Sequence, residues 1–232
     1  MLRTVAWAGI ILGAITPALA LAQVDNNQLG GWYTWQWTVN RAGSTVGFQG
    51  DVQHRNWDIA GDLEQLLLRG GVTWQPTGSA VKYTLGVAHI ESGVFGPSNA
   101  TTKEQRLYQE ALIPQRWGAR GFVTHRFRYE QRDVDNQDLR TRLRYFIAYN
   151  RPLNRDTLGS GAIYLALANE IFINGERGIG RGREVDWFDR NRASAGLGYG
   201  ISDTSRVQLS YMHQRLDESG KGQIQLNWIQ TF

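Results

Sequence analysis

The chain has 232 residues, 41% of them hydrophobic and 20% charged, with no cysteine and 25 Lys+Arg against 21 Asp+Glu for a net charge of +4. These figures exclude a disordered tail and a disulfide scaffold. A mean hydropathy of −0.41 with 27 glycines argues against a helical membrane protein, and the near-neutral balance gives no reason to expect a nucleic-acid partner.

Residues 1–22 read as a secretory signal peptide. Arg3 supplies the positive start, Val5 to Ile15 is a short apolar run, and Ala20-Leu21-Ala22 is a small-x-small cleavage pattern. Residues 23–232 then form one domain. No later stretch reaches the ~18 apolar residues that a membrane-spanning helix needs.

The dominant period after the leader is two. Val123, His125, Phe127 and Tyr129 alternate with Thr124, Arg126, Arg128 and Glu130, and Leu143, Tyr145, Ile147 and Tyr149 alternate with Arg142, Arg144, Phe146 and Ala148. The same reading predicts strands near 32–40, 45–55, 62–75, 80–92, 104–113, 119–132, 138–150, 160–173, 186–201, 205–216 and 222–232. Pro76, Pro97 and Pro152 fall in connections, and Pro114 closes a strand.

Counted back from a periplasmic Phe232, tight turns at 202–205, 116–118 and 76–78 alternate with longer loops at 92–102, 175–184 and 217–222. Short inside and long outside is the pattern of an outer-membrane barrel. A secreted β-sandwich would have shorter strands and bury its apolar faces, whereas these strands are long and their polar faces hold most of the Arg. The expected fold is therefore all-β, an antiparallel transmembrane β-barrel of 10–12 strands in the outer membrane of a Gram-negative bacterium. Eleven segments are read, and the even-number rule favours twelve. A short strand near Asp25 to Gly30, a misread segment, or an N-terminus threading the lumen would account for the difference.

The run from His125 to Arg132, Leu139 to Tyr145, Asn169-Glu170-Ile171-Phe172, and Phe188 to Arg192 through Gly196-Leu197-Gly198-Tyr199 resembles the domain of unknown function 2490 family, a group of predicted Gram-negative outer-membrane barrels. The resemblance extends more weakly over the rest of the chain, where Trp35 and Trp37 open the first strand. It implies architecture and location, and brings no reaction, ligand or catalytic residue.

The chemistry on offer is arginine: all the basic residues except Lys82, Lys103 and Lys221 are Arg. Arg126, Arg128, Arg132, Arg140, Arg142, Arg144, Arg190 and Arg192 share the polar faces with Glu130 and Glu170, as expected of a planar cation kept paired in a crowded interior. Symmetric hairpins would set Glu130 opposite Arg140, Arg140 opposite Glu170 and Glu170 opposite Arg190, an acid–base row across four strands. Arg128 would then face Arg142, and Arg126 would face Arg144, like charges that repel unless Glu110, another carboxylate, water or an anion intervenes. Two functions follow: a structural filling, or a narrow anion-favouring conduit.

A hydrolase acting on lipid or peptide at the outer rim is the alternative. It would need a His beside Ser or an acid. His54, His89, His125 and His213 all fall on the lipid-facing parity, and Ser210 and His213 lie on opposite faces.

The segment from Gly175 to Gly182 follows a strand and precedes a strand, so it reads as a mobile external loop and not a phosphate cradle. No metal-ligand spacing or cofactor motif is present. Trp32, Tyr33, Trp35, Trp37, Trp74, Tyr83, Tyr149, Tyr199, Trp228 and Phe232 read as interfacial aromatics against outer-membrane lipid. Trp228 and the terminal Phe232 also resemble the signal by which the barrel-assembly machinery recognises a C-terminal strand.

Overall fold

Period-two alternation over long segments builds strands, and a computed structural model of the chain places eleven of them among the residues it describes, 29–217 and 219–232. The leader reading at 1–22 and the start of the extra segment at Asp25 lie outside the described residues. The strands are β1 (Leu29–Asn40), β2 (Val46–Asn56), β3 (Leu63–Trp74), β4 (Lys82–Gly93), β5 (Thr101–Trp117), β6 (Gly121–Val134), β7 (Arg140–Pro152), β8 (Ile163–Asn174), β9 (Phe188–Gly200), β10 (Ser205–Arg215) and β11 (Gly220–Thr231).

Each strand pairs with its sequence neighbours, and β1 pairs with β11 to close the barrel. The favoured count of twelve gives way to eleven. An odd number of up-and-down strands leaves the first and last running the same way, so the seam is parallel, from Leu29↔Gly222 to Thr38↔Thr231, while every other pair is antiparallel. Closure satisfies both edge strands without a twelfth. Phe232 extends the seam: its N–H donates to the Thr38 carbonyl at 2.8 Å and its carbonyl accepts from the Asn40 N–H at 3.2 Å.

One end of the barrel, the C-terminal end, carries Phe232 and the connections 41–45, 75–81, 118–120, 153–162 and 201–204. The far end carries Leu29 and the connections 57–62, 94–100, 135–139, 175–187 and the β10–β11 turn. The expected length contrast shrinks, because β4 and β5 run into the 92–102 loop and a ten-residue connection, 153–162, sits at the C-terminal end. Only 175–187 stands out in length among the described connections. It is tied down, with a β-bridge between Gly178 and Glu184, a buried Ile179, and the Asp138 N–H donating to the Ile179 carbonyl at 3.1 Å. Pro114 does not close its strand, since β5 continues to Trp117. Past Lys82↔Leu112 only β6 flanks β5, so a residue without an N–H there need not interrupt a ladder.

The two faces of the wall differ as the alternation dictates. Val72, Leu85, Val87, Leu107, Phe127, Leu143, Leu197, Leu209 and Leu226 are exposed on the outside, while Arg128, Glu130, Arg142, Arg144 and Glu170 are buried inside. Toward the C-terminal end the outer face carries the pairs Trp74–Tyr83 and Trp117–Tyr149, each with ring centroids 5.6 Å apart. Trp32 departs from the girdle reading. It shares the inward side with Thr34 and Gln36, is 8% exposed, and donates through Nε1 to Gln53 Oε1 at 3.1 Å.

Two further devices shape the interior. Bulges on β3 and β9 break the alternation, so that Glu64 and Asp189 both turn inward beside Gln65 and Arg190. Inward glycines sit directly opposite inward tyrosines, Gly86↔Tyr108 and Gly198↔Tyr164, and each ring covers the space that the missing Cβ leaves.

Candidate functional site

β6 and β7 place the centre of the interior network. Arg126, Arg128 and Glu130 project inward from β6, Arg140, Arg142 and Arg144 from β7, Glu170 from β8, and Arg190 and Arg192 from β9. The expected acid–base row does not form, because the hairpins are not symmetric about their loops. Glu130 lies opposite Arg142, Arg128 opposite Arg144, Arg132 opposite Arg140, Phe146 opposite Glu170, and Glu170 opposite Arg192. The offset is two residues for β6–β7 and β8–β9, and six for β7–β8.

A different network replaces the row. Arg142 donates to Glu130 Oε2 at 2.6 Å and to Asp189 Oδ2 at 2.6 Å. Arg144 donates to Glu130 Oε1 at 2.6 Å and to Glu170 Oε1 at 2.7 Å, where Arg126 joins at 2.7 Å. The facing pairs Arg128–Arg142 and Arg126–Arg144 do not form; Arg128 faces Arg144 instead, and Glu110 takes Arg128 while Glu130 and Glu170 take Arg144. Glu104 takes both Arg106 and Arg132. Arg140 is left outside: its Nε is buried without a partner, and it reaches neither Glu130 nor Glu170 within ion-pair distance.

Aromatic faces fill the gaps between the cations. Arg128 lies 4.6 Å from the Tyr108 ring centre, Arg144 4.5 Å and Arg142 5.1 Å from Phe172, and Arg126 4.6 Å from Phe146. Asp51 with Arg69 (2.6 Å) and Glu64 with Lys221 (2.7 Å) extend the pairing to the β1–β3 side. The sequence reading missed these partners, and also Asp189 and Glu104. Asp51 and Glu104 were legible from strand parity; Glu64 and Asp189 were not, because a bulge supplies them.

A cavity of about 660 Å³ runs through what remains. Twelve basic side chains line it against four acidic ones, Asp51, Glu104, Glu110 and Glu170. It reaches from Val134 and Arg190 near the far end to Asn150 and Thr231 near the C-terminal end. Small residues, Ala148, Ala166, Ala168 and Ser194, keep the half nearer the C-terminal end open. The surplus positive charge has two main origins: Arg55, Lys82, Arg192 and Arg206 line the cavity with no carboxylate within ion-pair distance among the described residues, and Glu104 and Glu170 are each shared by two arginines.

The matched span of known sequence coincides with this wall. Residues 29–225 match the family described as a protein of unknown function, DUF2490, from the first residue of β1 into β11. The chain belongs to the DUF2490 family. An uncharacterised protein of Methylorubrum extorquens is 30% identical over 192 residues, covering 79% of this chain and 77% of that protein. No solved structure matches it.

In this DUF2490 barrel the histidines lie on the outer face, away from the network. His125 contacts Tyr145 Oη at 2.8 Å and Gln115 Oε1 at 3.1 Å, and His89 contacts Gln105 at 2.6 Å. Among the described residues, no hydrogen bond joins a histidine to a serine or a carboxylate, and no cluster of three or more His, Asp or Glu has metal-holding geometry.

Proposed function

We propose that this protein is an outer-membrane β-barrel whose electropositive interior admits small anions. The supporting observation is the division of the wall: large apolar side chains exposed on the outer face, and cationic side chains in excess around an interior cavity. Exposed leucine, valine and aromatic residues on adjacent strands are costly in water and favourable against acyl chains. The seam leaves no open edge in the wall, as backbone groups in hydrocarbon demand. The C-terminal end faces the periplasm in this reading, and the barrel-assembly machinery engages β11 there through Trp228 and Phe232.

The interior reading rests on net charge after pairing. On β5–β8 seven inward arginines share four glutamates, so the paired network fills the interior and still carries part of the positive excess; the cations without an ion pair add to the field that a permeant ion meets. The test is planar-bilayer conductance of the refolded protein under a salt gradient, with wild type against Lys82→Gln/Arg206→Gln, which leaves every interior ion pair intact. Anion-selective steps whose selectivity drops in the variant are expected. A folded barrel that never conducts would overturn the passage reading.

A further inference from the structure

We propose that Arg55 and Arg192, brought together over the indole of Trp32, form a binding site for a small oxyanion, a carboxylate or phosphate group, inside the barrel. The proposal rests on the reading that anions reach the interior.

The guanidinium carbon of Arg55 lies 3.7 Å from the Trp32 ring centre and that of Arg192 lies 4.9 Å from it. Arg192 also lies 4.9 Å from the Phe172 ring. Two cations share one indole, at a depth in the barrel where neighbouring cations have acids: Arg69 has Asp51, Arg106 has Glu104, Arg144 has Glu170 and Lys221 has Glu64. Among the described residues, the side chains of Arg55 and Arg192 hydrogen-bond only to amides; Glu64 beside Arg55 and Glu170 opposite Arg192 lie beyond ion-pair distance of them and are taken by Lys221 and by Arg126 and Arg144. Arg55 donates to Gln65 Oε1 at 2.6 Å and to Gln53 Oε1, and Arg192 Nε donates to Gln214 Oε1 at 2.8 Å.

Glutamine is the informative choice here. At each of these three acceptors a glutamate would reach the same place and neutralise the cation, as glutamates do elsewhere in this interior. Amides orient the guanidiniums without giving either one a direct ion pair. Arg55 is 7% exposed, and among the described residues its buried Nε has no partner and no hydrogen bond occupies the two terminal nitrogens of Arg192. Like charges that both lie within 5 Å of one ring centre in a poorly solvated interior repel. An oxyanion that accepts from both would relieve that repulsion with charge-assisted bonds, and guanidinium presents its donors in the fork that carboxylate and phosphate oxygens match. Both arginines line the cavity, which gives the ligand space.

The test uses the refolded full-length mature chain in detergent, titrated calorimetrically with sodium phosphate and with sodium acetate at constant ionic strength. Variants are Arg55→Gln, Arg192→Gln, Gln214→Glu and the control Arg120→Gln, at an exposed pair with Asp156 outside the cavity, with heat-modifiable gel migration reporting that each is folded. Saturable uptake of either probe is expected, weakened at least tenfold by Arg55→Gln and by Arg192→Gln and retained by Arg120→Gln. Gln214→Glu, which supplies an internal carboxylate, is expected to abolish uptake while the barrel stays folded. Absence of saturable binding in the wild type, or equal weakening in all the variants including Arg120→Gln, would overturn the site. Anion-selective conductance without saturable binding would leave the passage reading standing and reject the site; saturable binding in a silent barrel would do the reverse.

Discussion

Arg144 donates to Glu130 across the β6–β7 pair at 2.6 Å, although the residue directly opposite Arg144 is Arg128. The contact is diagonal. Glu130 takes Arg142, its direct partner, on one oxygen and Arg144 on the other, and with 1% exposure it has no water to fall back on.

Removing that carboxylate should therefore be severe. Glu130→Gln leaves Arg142 and Arg144 short of a counter-charge, and breaking a buried pair from one side costs about 3–5 kcal/mol. The urea midpoint of the refolded barrel in micelles is expected to fall accordingly. Adding Arg144→Met should recover part of the loss, because the stranded cation goes with it. Equal stability of Glu130→Gln and wild type would show that solvent reaches the network.

The sequence made the faces legible but not the partners. Phe127 and Tyr129 against Arg128 and Glu130 fix which side each residue takes, since strand side chains alternate regardless of loop detail. Register depends on the turn. The Gln137 N–H donates to the Val134 carbonyl, and Asn136 takes a positive φ of 60°, so β6 and β7 meet two residues away from the symmetric alignment. Glu64 and Asp189 were hidden for another reason: a bulge inserts one residue, and strict alternation then assigns the wrong face. Trp32 was misplaced because its neighbours Tyr33 and Trp35 do face out, and aromatic composition outweighed parity.

The bulge at Asp189 is expected to be functional wiring and not slack. Its carboxylate accepts from Arg142 at 2.6 Å and from Arg190 at 2.9 Å, with its side chain 13% exposed. Asp189→Ala should cost about 1–3 kcal/mol by leaving charged donors unmet. Glu184→Gln, whose pair with Arg177 is largely exposed, should change stability by less than about 1 kcal/mol. Indistinguishable urea midpoints for the two variants would refute a buried role for Asp189.

Gly198 is constrained by Tyr164, its register partner on β8, whose ring occupies the space where a Cβ would lie. Gly198→Ala must displace a tyrosine that is 1% exposed. Overpacking of this kind costs about 1–3 kcal/mol. Thermal loss of the compact form on semi-native gels should shift downward, and Tyr164→Ala in the same chain should make the alanine harmless. A Gly198→Ala barrel as heat-resistant as wild type would mean the ring swings aside freely.

Phe232 joins two roles that separate variants can divide. Its backbone completes the parallel seam through Thr38 and Asn40, while the residue as a whole is 63% exposed, so its side chain adds little to the fold. Deleting Phe232 removes two hydrogen bonds, each worth about 0.5–1.5 kcal/mol net, so the refolded protein should lose about 1–3 kcal/mol. Phe232→Ala keeps both bonds and should refold with near wild-type stability. In cells the two variants test recognition: if an assembly machinery reads the ring, Phe232→Ala depletes the assembled barrel as strongly as the deletion does, despite its intact stability. Normal cellular assembly of Phe232→Ala beside a defective deletion would assign the residue to the seam alone, since only the lost backbone bonds could then account for the defect.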